Sequence, residues 1–155
     1  MIQTKNLTWL DLKEVDNIPK QLQNWLDDNQ SLTAKLKAKY DDFSVNLLTQ
    51  IQKKPHTNET VLLGDQQAII REVELLGDQQ VLVFARSVIP VTTDTERLLS
   101  IGSKPLGEIL FDDPTITRST MQIAKAGNIW GRRSLFNVGK TQILVSEFFL
   151  EALYA

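Results

Sequence analysis

Apolar runs of strand length, joined by short turns, dominate the chain and constrain its fold more than any other feature. Residues 67–76 and 80–91 flank a short turn at 77–79 and predict a β-hairpin. The run at 80–91 is apolar on both faces until Pro90 ends its regular pairing, which predicts a central strand. The remaining strands are predicted over residues 43–51, 115–124, 129–138 and 141–150. About six strands in hairpin-like succession predict an antiparallel sheet.

Short helical patterns lie at the start and in the middle of the chain. Helices are predicted over residues 18–28 and 31–40, and shorter helical pieces over 94–101 and 105–111. The first two are only modestly apolar, so they are expected to form flaps over a core rather than its centre. Helices on one side of an antiparallel sheet make an α+β fold, and residues 1–155 suit a single domain.

Two of the predicted strands carry a charge on the face that should be buried. Strand side chains alternate between faces, so Arg71 shares a face with Ile69 and Val73. By the same rule Glu147 shares a face with Val145. An unpaired buried charge costs several kcal/mol. Either the two side chains satisfy each other, or they face a pocket that holds a ligand.

Three more arginines lie in or beside strand patterns. Arg86 is the third charge in an apolar run, and Arg132 and Arg133 are neighbours, so at most one of them is expected to face a pocket and the other to be solvated. Arginine binds carboxylates bidentately and keeps its charge, so Arg71, Arg86 and one of the pair suit a ligand with more than one carboxylate. Glu147 would then be an acceptor or a proton carrier. The pattern alone leaves open an ion pair, an anion pocket or misassigned faces.

Composition argues against several classes of function. The net charge is −2, so the chain has no global basic field for nucleic acid. With no cysteine and a single histidine, His56 in a polar turn expected to be solvated, neither a transition-metal site nor thiolate chemistry is expected. The N-terminus lacks a long apolar segment, and no run approaches the roughly 20 apolar residues that span a bilayer. A cytoplasmic monomer without stable membrane insertion is the expectation.

Five motifs in order carry a family resemblance: IREVEL at 70–75, ARSVIP at 85–90, IGSKPLGEILF at 101–111, WGRRS at 130–134 and LVSEFFL at 144–150. In this order and spacing the chain resembles chorismate lyase, the chorismate–pyruvate lyase of bacterial ubiquinone biosynthesis. The resemblance covers most of the chain. The segment between residues 43 and 67 aligns poorly, so its contribution to a pocket stays open.

The resemblance implies an antiparallel sheet with helical flaps enclosing a buried site. It implies conversion of the small-molecule substrate chorismate to 4-hydroxybenzoate and pyruvate, the first committed step of ubiquinone biosynthesis, without a cofactor or metal. Arg71 matches the arginine that binds the ring carboxylate, and Glu147 matches the glutamate that meets the ring hydroxyl. Leu106 matches an apolar wall and Leu32 a flap residue that closes the site. The expected catalytic residues are Arg71, Glu147 and Arg86, and the expected binding residues also include Leu32, Leu106, Arg132 and Arg133.

The sequence pattern is also compatible with two other functions. One is a non-catalytic domain that senses small aromatic acids, as in transcription regulators of a related fold. Residues 1–42 are too short and too acidic for the helix-turn-helix that would normally accompany it. The other is a structural module in which Arg71 and Glu147 simply pair.

Overall fold

The computed structural model describes residues 2–28, 30–119 and 121–155. These residues form an eight-stranded antiparallel sheet in the order β1-β6-β7-β8-β4-β3-β2, with β5 paired to β7. The strands are β1 (Leu10–Asp11), β2 (Phe43–Lys53), β3 (Ala68–Gly77), β4 (Gln80–Pro90), β5 (Thr117–Arg118), β6 (Gln122–Ala126), β7 (Ile129–Val138) and β8 (Thr141–Phe149). Two of the eight have only two residues each, so the predicted α+β fold is confirmed with a slightly higher strand count.

The helices of the described residues are short. They are α1 (Lys20–Leu26), α2 (Leu32–Lys39), α3 (Thr57–Leu63), α4 (Leu106–Asp112) and α5 (Glu151–Tyr154), with 3₁₀ turns at Leu12–Glu14 and Glu96–Ser100. None of them is long and apolar enough to cross a membrane. The predicted helices at 18–28, 31–40 and 105–111 are confirmed, and the helical piece at 94–101 is a 3₁₀ turn. The sequence pattern did not predict α3 or α5.

The predicted strand at 115–124 is wrong as one continuous element. Arg118 pairs with Phe136 of β7, and Gln122 pairs with Arg133 of the same strand. Four residue steps on one side therefore oppose three on the other. The ladder along β7 is interrupted between β5 and β6, as a bulge interrupts a regular ladder, and residue 120 of the predicted strand lies outside the described residues.

Strand register separates the two faces of the sheet. Residues paired across neighbouring strands point to the same face. One row of such pairs across four strands defines the front face: Arg71, Ser87, Val145 and Ser134. The adjacent residues in each strand point to the back face: Glu72, Arg86, Ser146 and Arg133.

Two apolar clusters cover the front face and leave a strip between them. The first is packed by α1 and α2: Leu22, Leu26, Leu32, Leu36, Val73, Leu75, Val83 and Phe149. The second is packed by α4 and the 3₁₀ turn before it: Leu98, Leu106, Leu110, Ile89, Phe136, Ile143 and Val145. The strip between them, here called the polar band, consists of Arg71, Ser87, Arg132, Ser134 and Glu147.

Candidate active site

Two helices meet above the polar band. Lys37 Nζ of α2 forms an ion pair with Glu108 Oε2 of α4 at 2.8 Å. At Gly107 an added Cβ would lie 3.5 Å from Thr33 Oγ1, so the two helices approach closely there. Each helix begins with a buried leucine, Leu32 of α2 and Leu106 of α4. The two predicted site residues therefore lie in the helical layer that covers the polar band.

Arg71 is a buried cation with neutral partners. Its side chain lies in β3 at 2% exposure, and Nη1 donates to Gln50 Oε1 at 3.1 Å. Nη2 donates to the backbone carbonyl of Lys104 at 2.9 Å, in the loop that leads into Leu106. It forms no ion pair with any residue that the structure describes. Burial lowers the pKa of the Arg71 guanidinium, which marks a charge removed from water without a compensating anion.

Glu147 lies at the other end of the band and is held by Arg132. Arg132 Nε donates to Glu147 Oε1 at 2.9 Å across β7 and β8. Arg132 Nη1 also donates to the backbone carbonyls of Trp25 at 2.9 Å and Asp28 at 2.6 Å, at the C-terminal end of α1. Arg132 is thus the member of the arginine pair that faces the site. It positions both the carboxylate and the chain segment that leads into α2.

Arg71 and Glu147 do not pair with each other. Arg71 is opposite Ser87 on β4, whereas Glu147 is opposite Ala85 of the same strand from the other side. Two interstrand spacings of ~4.8 Å and two residue steps of ~3.3 Å place their Cα atoms roughly 12 Å apart. The strand-to-strand ion pair considered from the sequence therefore exists, but between Glu147 and Arg132. Arg71 is left facing the band from the opposite end.

Arg86, expected beside Arg71, lies instead on the back face. Register pairs it with Glu72 on β3 and with Ser146 on β8, one residue out of phase with the front-face row. Its Nε and Nη2 donate to the two carboxylate oxygens of Glu59 at 2.8 and 2.9 Å, and Nη1 donates to Glu72 at 3.1 Å. Burial alone would lower the pKa of Arg86, but the hydrogen bonds and charges of these two carboxylates raise it. Arg86 holds α3 on the back of the sheet and does not meet Arg71.

Arg133 also points to the back face, and the expectation that it is solvated is wrong. Its side chain is 5% exposed. Nε donates to Gln122 Oε1 at 2.8 Å, Nη1 donates to the carbonyl of Asn58 at 2.8 Å, and the guanidinium lies 4.6 Å from the centre of the Trp9 ring. Burial lowers its pKa to about 10. The back face therefore binds α3 and the N-terminal segment through buried polar contacts.

The expectation that His56 is a solvated loop residue is also wrong. It is half-buried, precedes α3, and its Nε2 lies 3.2 Å from Thr4 Oγ1. Its backbone N–H donates to Glu59 Oε1 at 2.8 Å. Burial and the nearby charge of Arg86 lower the pKa of its imidazole. His56 is a structural residue of the back face.

Arg118 lies next to the polar band and was not among the residues predicted from the sequence. Its Nε donates to Ser134 Oγ at 3.1 Å, and its guanidinium lies 5.6 Å from the Phe111 ring and 5.5 Å from the Phe136 ring. The sequence does contain a signal for this position. Arg118 follows Ile116 by two residues in a predicted strand, so the two side chains are expected on the same face. Arg118 therefore belongs to the front face, next to Ser134 of the band.

The front face carries excess positive charge. Arg71, Arg118 and Arg132 supply three positive charges, and Glu147 supplies one negative charge. The nearby charge of Asp28 is offset by its ion pair with Lys35, which leaves two positive charges in excess. A groove of about 710 Å³ on the back face is lined by Leu48, Glu74, Phe84 and other residues, none of them a predicted site residue. The charge and burial of the polar band instead favour a small anion with two negative charges.

Comparisons with known proteins agree on one family. The family model described as chorismate lyase matches residues 3–155. A probable chorismate pyruvate-lyase of Aromatoleum aromaticum is 35% identical over 178 residues, covering 98% of this chain and 96% of the relative. Proteins of the same name from Methylococcus capsulatus and Chromohalobacter salexigens are 36% and 38% identical, covering 85% and 84% of this chain and 96% and 81% of each relative.

Proposed function

The chain belongs to the chorismate lyase family, and from this membership we propose that it is a lyase that converts chorismate to 4-hydroxybenzoate and pyruvate without a cofactor, the reaction that opens ubiquinone biosynthesis. The observation that carries the proposal is the buried guanidinium of Arg71, which has no ion pair among the described residues and shares a face with Glu147 two strands away. We also propose that residues 1–155 make up one such domain, since the same sheet supports both apolar clusters.

The proposed substrate fits the charges of the front face. Chorismate is a dianion with a carboxylate on C1 of the ring, an enolpyruvyl ether on C3 and a hydroxyl on C4. Arg71 receives the ring carboxylate, and Glu147 Oε2 accepts a hydrogen bond from the C4 hydroxyl while Oε1 stays on Arg132. Leu32 and Leu106 cover the ring from α2 and α4. The ligand then lies along the band between the two charged ends.

The reaction needs orientation more than a catalytic base. The C4–H bond and the C3–O bond break, the ring gains its third double bond, and the methylene carbon of the enolpyruvyl group gains a hydrogen. The products are 4-hydroxybenzoate and pyruvate, and aromatisation drives the step. A direct transfer of the C4 hydrogen to the methylene carbon requires no outside proton carrier. The protein then contributes a fixed reactive conformer and charge stabilisation.

Incubation of the purified protein with chorismate, with no metal added, tests the proposal. We expect 4-hydroxybenzoate and pyruvate to form in equal amounts. A sensing domain would bind an aromatic acid without consuming chorismate, and a structural module would do neither. Absence of both products from folded protein would contradict the proposed function.

Replacing Glu147 by glutamine separates orientation from proton transfer. We expect 4-hydroxybenzoate affinity to fall by roughly 10-fold or more, since a hydrogen bond to a charged acceptor contributes about 1.5–3 kcal/mol. In a single turnover the chemical step should slow much less than the roughly 10²- to 10⁴-fold that a general base supplies. A loss of about 10³-fold in the single-turnover rate would show that Glu147 carries the proton.

The flap formed by α2 offers a test of product release. Ser31 Oγ accepts a hydrogen bond from the backbone N–H of Ala34 at 3.2 Å and so caps this helix. Ser31→Ala should destabilise the start of α2 by about 1 kcal/mol. Because Leu32 follows directly, we expect a faster dissociation rate for 4-hydroxybenzoate, by about 3- to 10-fold in stopped-flow measurements. Thr60→Ala in α3 is the control, and an equal change in that variant would contradict the flap assignment.

A further inference from the structure

One donor atom of Arg118 has no acceptor within residues 2–28, 30–119 and 121–155. Arg118 Nε donates to Ser134 Oγ at 3.1 Å, and its Nη2 donates to the sulfur of Met121 at 3.3 Å. Nη1 is buried and has no hydrogen-bond partner among the residues that the structure describes. A buried donor without an acceptor is destabilising and uncommon in native proteins. The missing partner is therefore expected to be a bound group.

The side chain of Arg118 is half-buried and keeps its positive charge. Burial, together with the positive charge of Arg132, lowers the pKa of Arg118 to about 10, while Glu147 and Asp28 raise it. The guanidinium is therefore charged at neutral pH. Two of the buried arginines have carboxylate partners, Arg86 with Glu59 and Arg132 with Glu147. Arg118 has no ion pair within the described ranges, so an anionic ligand would complete its surroundings.

The position of Arg118 points to one particular part of a substrate. It lies on β5, which pairs with β7, and β8 with Glu147 is the next strand toward Arg71. In the order of the strands Arg118 therefore lies on the Glu147 side of the sheet, four residue steps along β7 from the row of Glu147, and its side chain bonds to Ser134 of the polar band. In a substrate with its ring carboxylate on Arg71 and its C4 hydroxyl on Glu147, the substituent on C3 is also at this end. The carboxylate of an enolpyruvyl ether on C3 is the second negative charge of the substrate, and on this side of the sheet Arg118 is a cation without an ion pair among the described residues.

We propose that Arg118 binds the enolpyruvyl carboxylate of the substrate through its free Nη1. This assignment rests on the proposed function and adds the residue that distinguishes substrate from aromatic product. Arg118 fixes the side group so that its methylene carbon lies beside C4, and it holds the carboxylate as pyruvate leaves. The rings of Phe111 and Phe136, which meet edge to face, keep the guanidinium in place.

Arg118→Met tests the proposal by comparing substrate with product. 4-Hydroxybenzoate has lost the pyruvyl group, so its Kd should change by less than about 3-fold. For chorismate, kcat/KM should fall by about 30-fold or more, as expected when one partner of a desolvated charge pair is removed. Arg97→Met is the control, because Arg97 is half-exposed and pairs with Asp113 at the surface. That variant should match the wild type in both measurements.

Two results would overturn the assignment while leaving the proposed function intact. One is a kcat/KM for chorismate within about 3-fold of wild type in Arg118→Met, and the other is an equal loss of chorismate turnover and 4-hydroxybenzoate affinity. Arg118→Lys keeps the charge with fewer donors, so it serves if the methionine variant does not fold. The lysine variant should lose less kcat/KM for chorismate than the methionine variant, with an unchanged Kd for 4-hydroxybenzoate. A wild-type protein that does not consume chorismate would overturn both the function and this inference.

Discussion

Arg71→Met should weaken 4-hydroxybenzoate binding by about 30-fold or more, because removing one partner of a desolvated charge pair costs about 2–5 kcal/mol. It should leave the free energy of unfolding within roughly 1–2 kcal/mol of wild type, because Arg71 has two neutral acceptors and no ion pair among the described residues. Isothermal titration with 4-hydroxybenzoate and urea unfolding measure the two quantities.

Arg71→Lys and Arg97→Met provide the comparison for this variant. The lysine keeps a charge but not the planar fork, so it should recover part of the affinity. The Arg97→Met variant removes an exposed arginine, so it should change neither the binding free energy nor the free energy of unfolding by more than about 1 kcal/mol. Unchanged product affinity in a folded Arg71→Met protein would contradict the assignment of the ring carboxylate to Arg71.

Arg86→Met should produce the opposite result, a large loss of stability with an intact binding site. Arg86 makes a bidentate contact with Glu59, and both side chains are more than nine-tenths buried. Removing one partner of a buried ion pair destabilises by about 3–5 kcal/mol. At about 2–4 °C per kcal/mol for a chain of this size, Tm should fall by roughly 6–20 °C. Below the transition, 4-hydroxybenzoate should bind with an affinity close to wild type.

A double variant shows whether the loss comes from the orphaned carboxylate. Replacing Glu59 by leucine together with Arg86→Met removes both buried charges, and apolar replacements of a buried pair are often neutral or stabilising. The double variant should therefore be more stable than Arg86→Met alone. If Arg86→Met leaves Tm unchanged but abolishes product binding, Arg86 belongs to the site after all and the back-face assignment is wrong.

The sequence pattern predicted the sheet and the faces of Arg71 and Glu147 because their strands alternate clearly. In β3, Glu72 and Glu74 point to one face of the sheet, and Arg71 and Val73 point to the other. The rule of alternation therefore identifies one buried face. β4 is apolar on both faces, so the same rule cannot tell whether Arg86 points to the same face of the sheet as Arg71. That decision depends on the register between β3 and β4, which a single chain does not display.

Other parts of the molecule gave weaker signals. α3 has seven residues and follows a strand in a polar segment, so neither its length nor its period distinguishes it from a loop. Arg118 lies in a two-residue strand whose face is set by its pairing with β7 rather than by its own alternation. The family resemblance supplied an expectation that periodicity could not, namely that Arg71 and Glu147 bind opposite ends of a ligand.

A crystal structure of the protein with 4-hydroxybenzoate shows most directly whether Arg71 and Glu147 bind opposite ends of the ring. We expect the carboxylate within hydrogen-bond distance of the Arg71 guanidinium and the hydroxyl within hydrogen-bond distance of Glu147, with Leu32 and Leu106 against the ring. A ligand bound in the reverse orientation, or in the back-face groove beside Glu74 and Phe84, would contradict it.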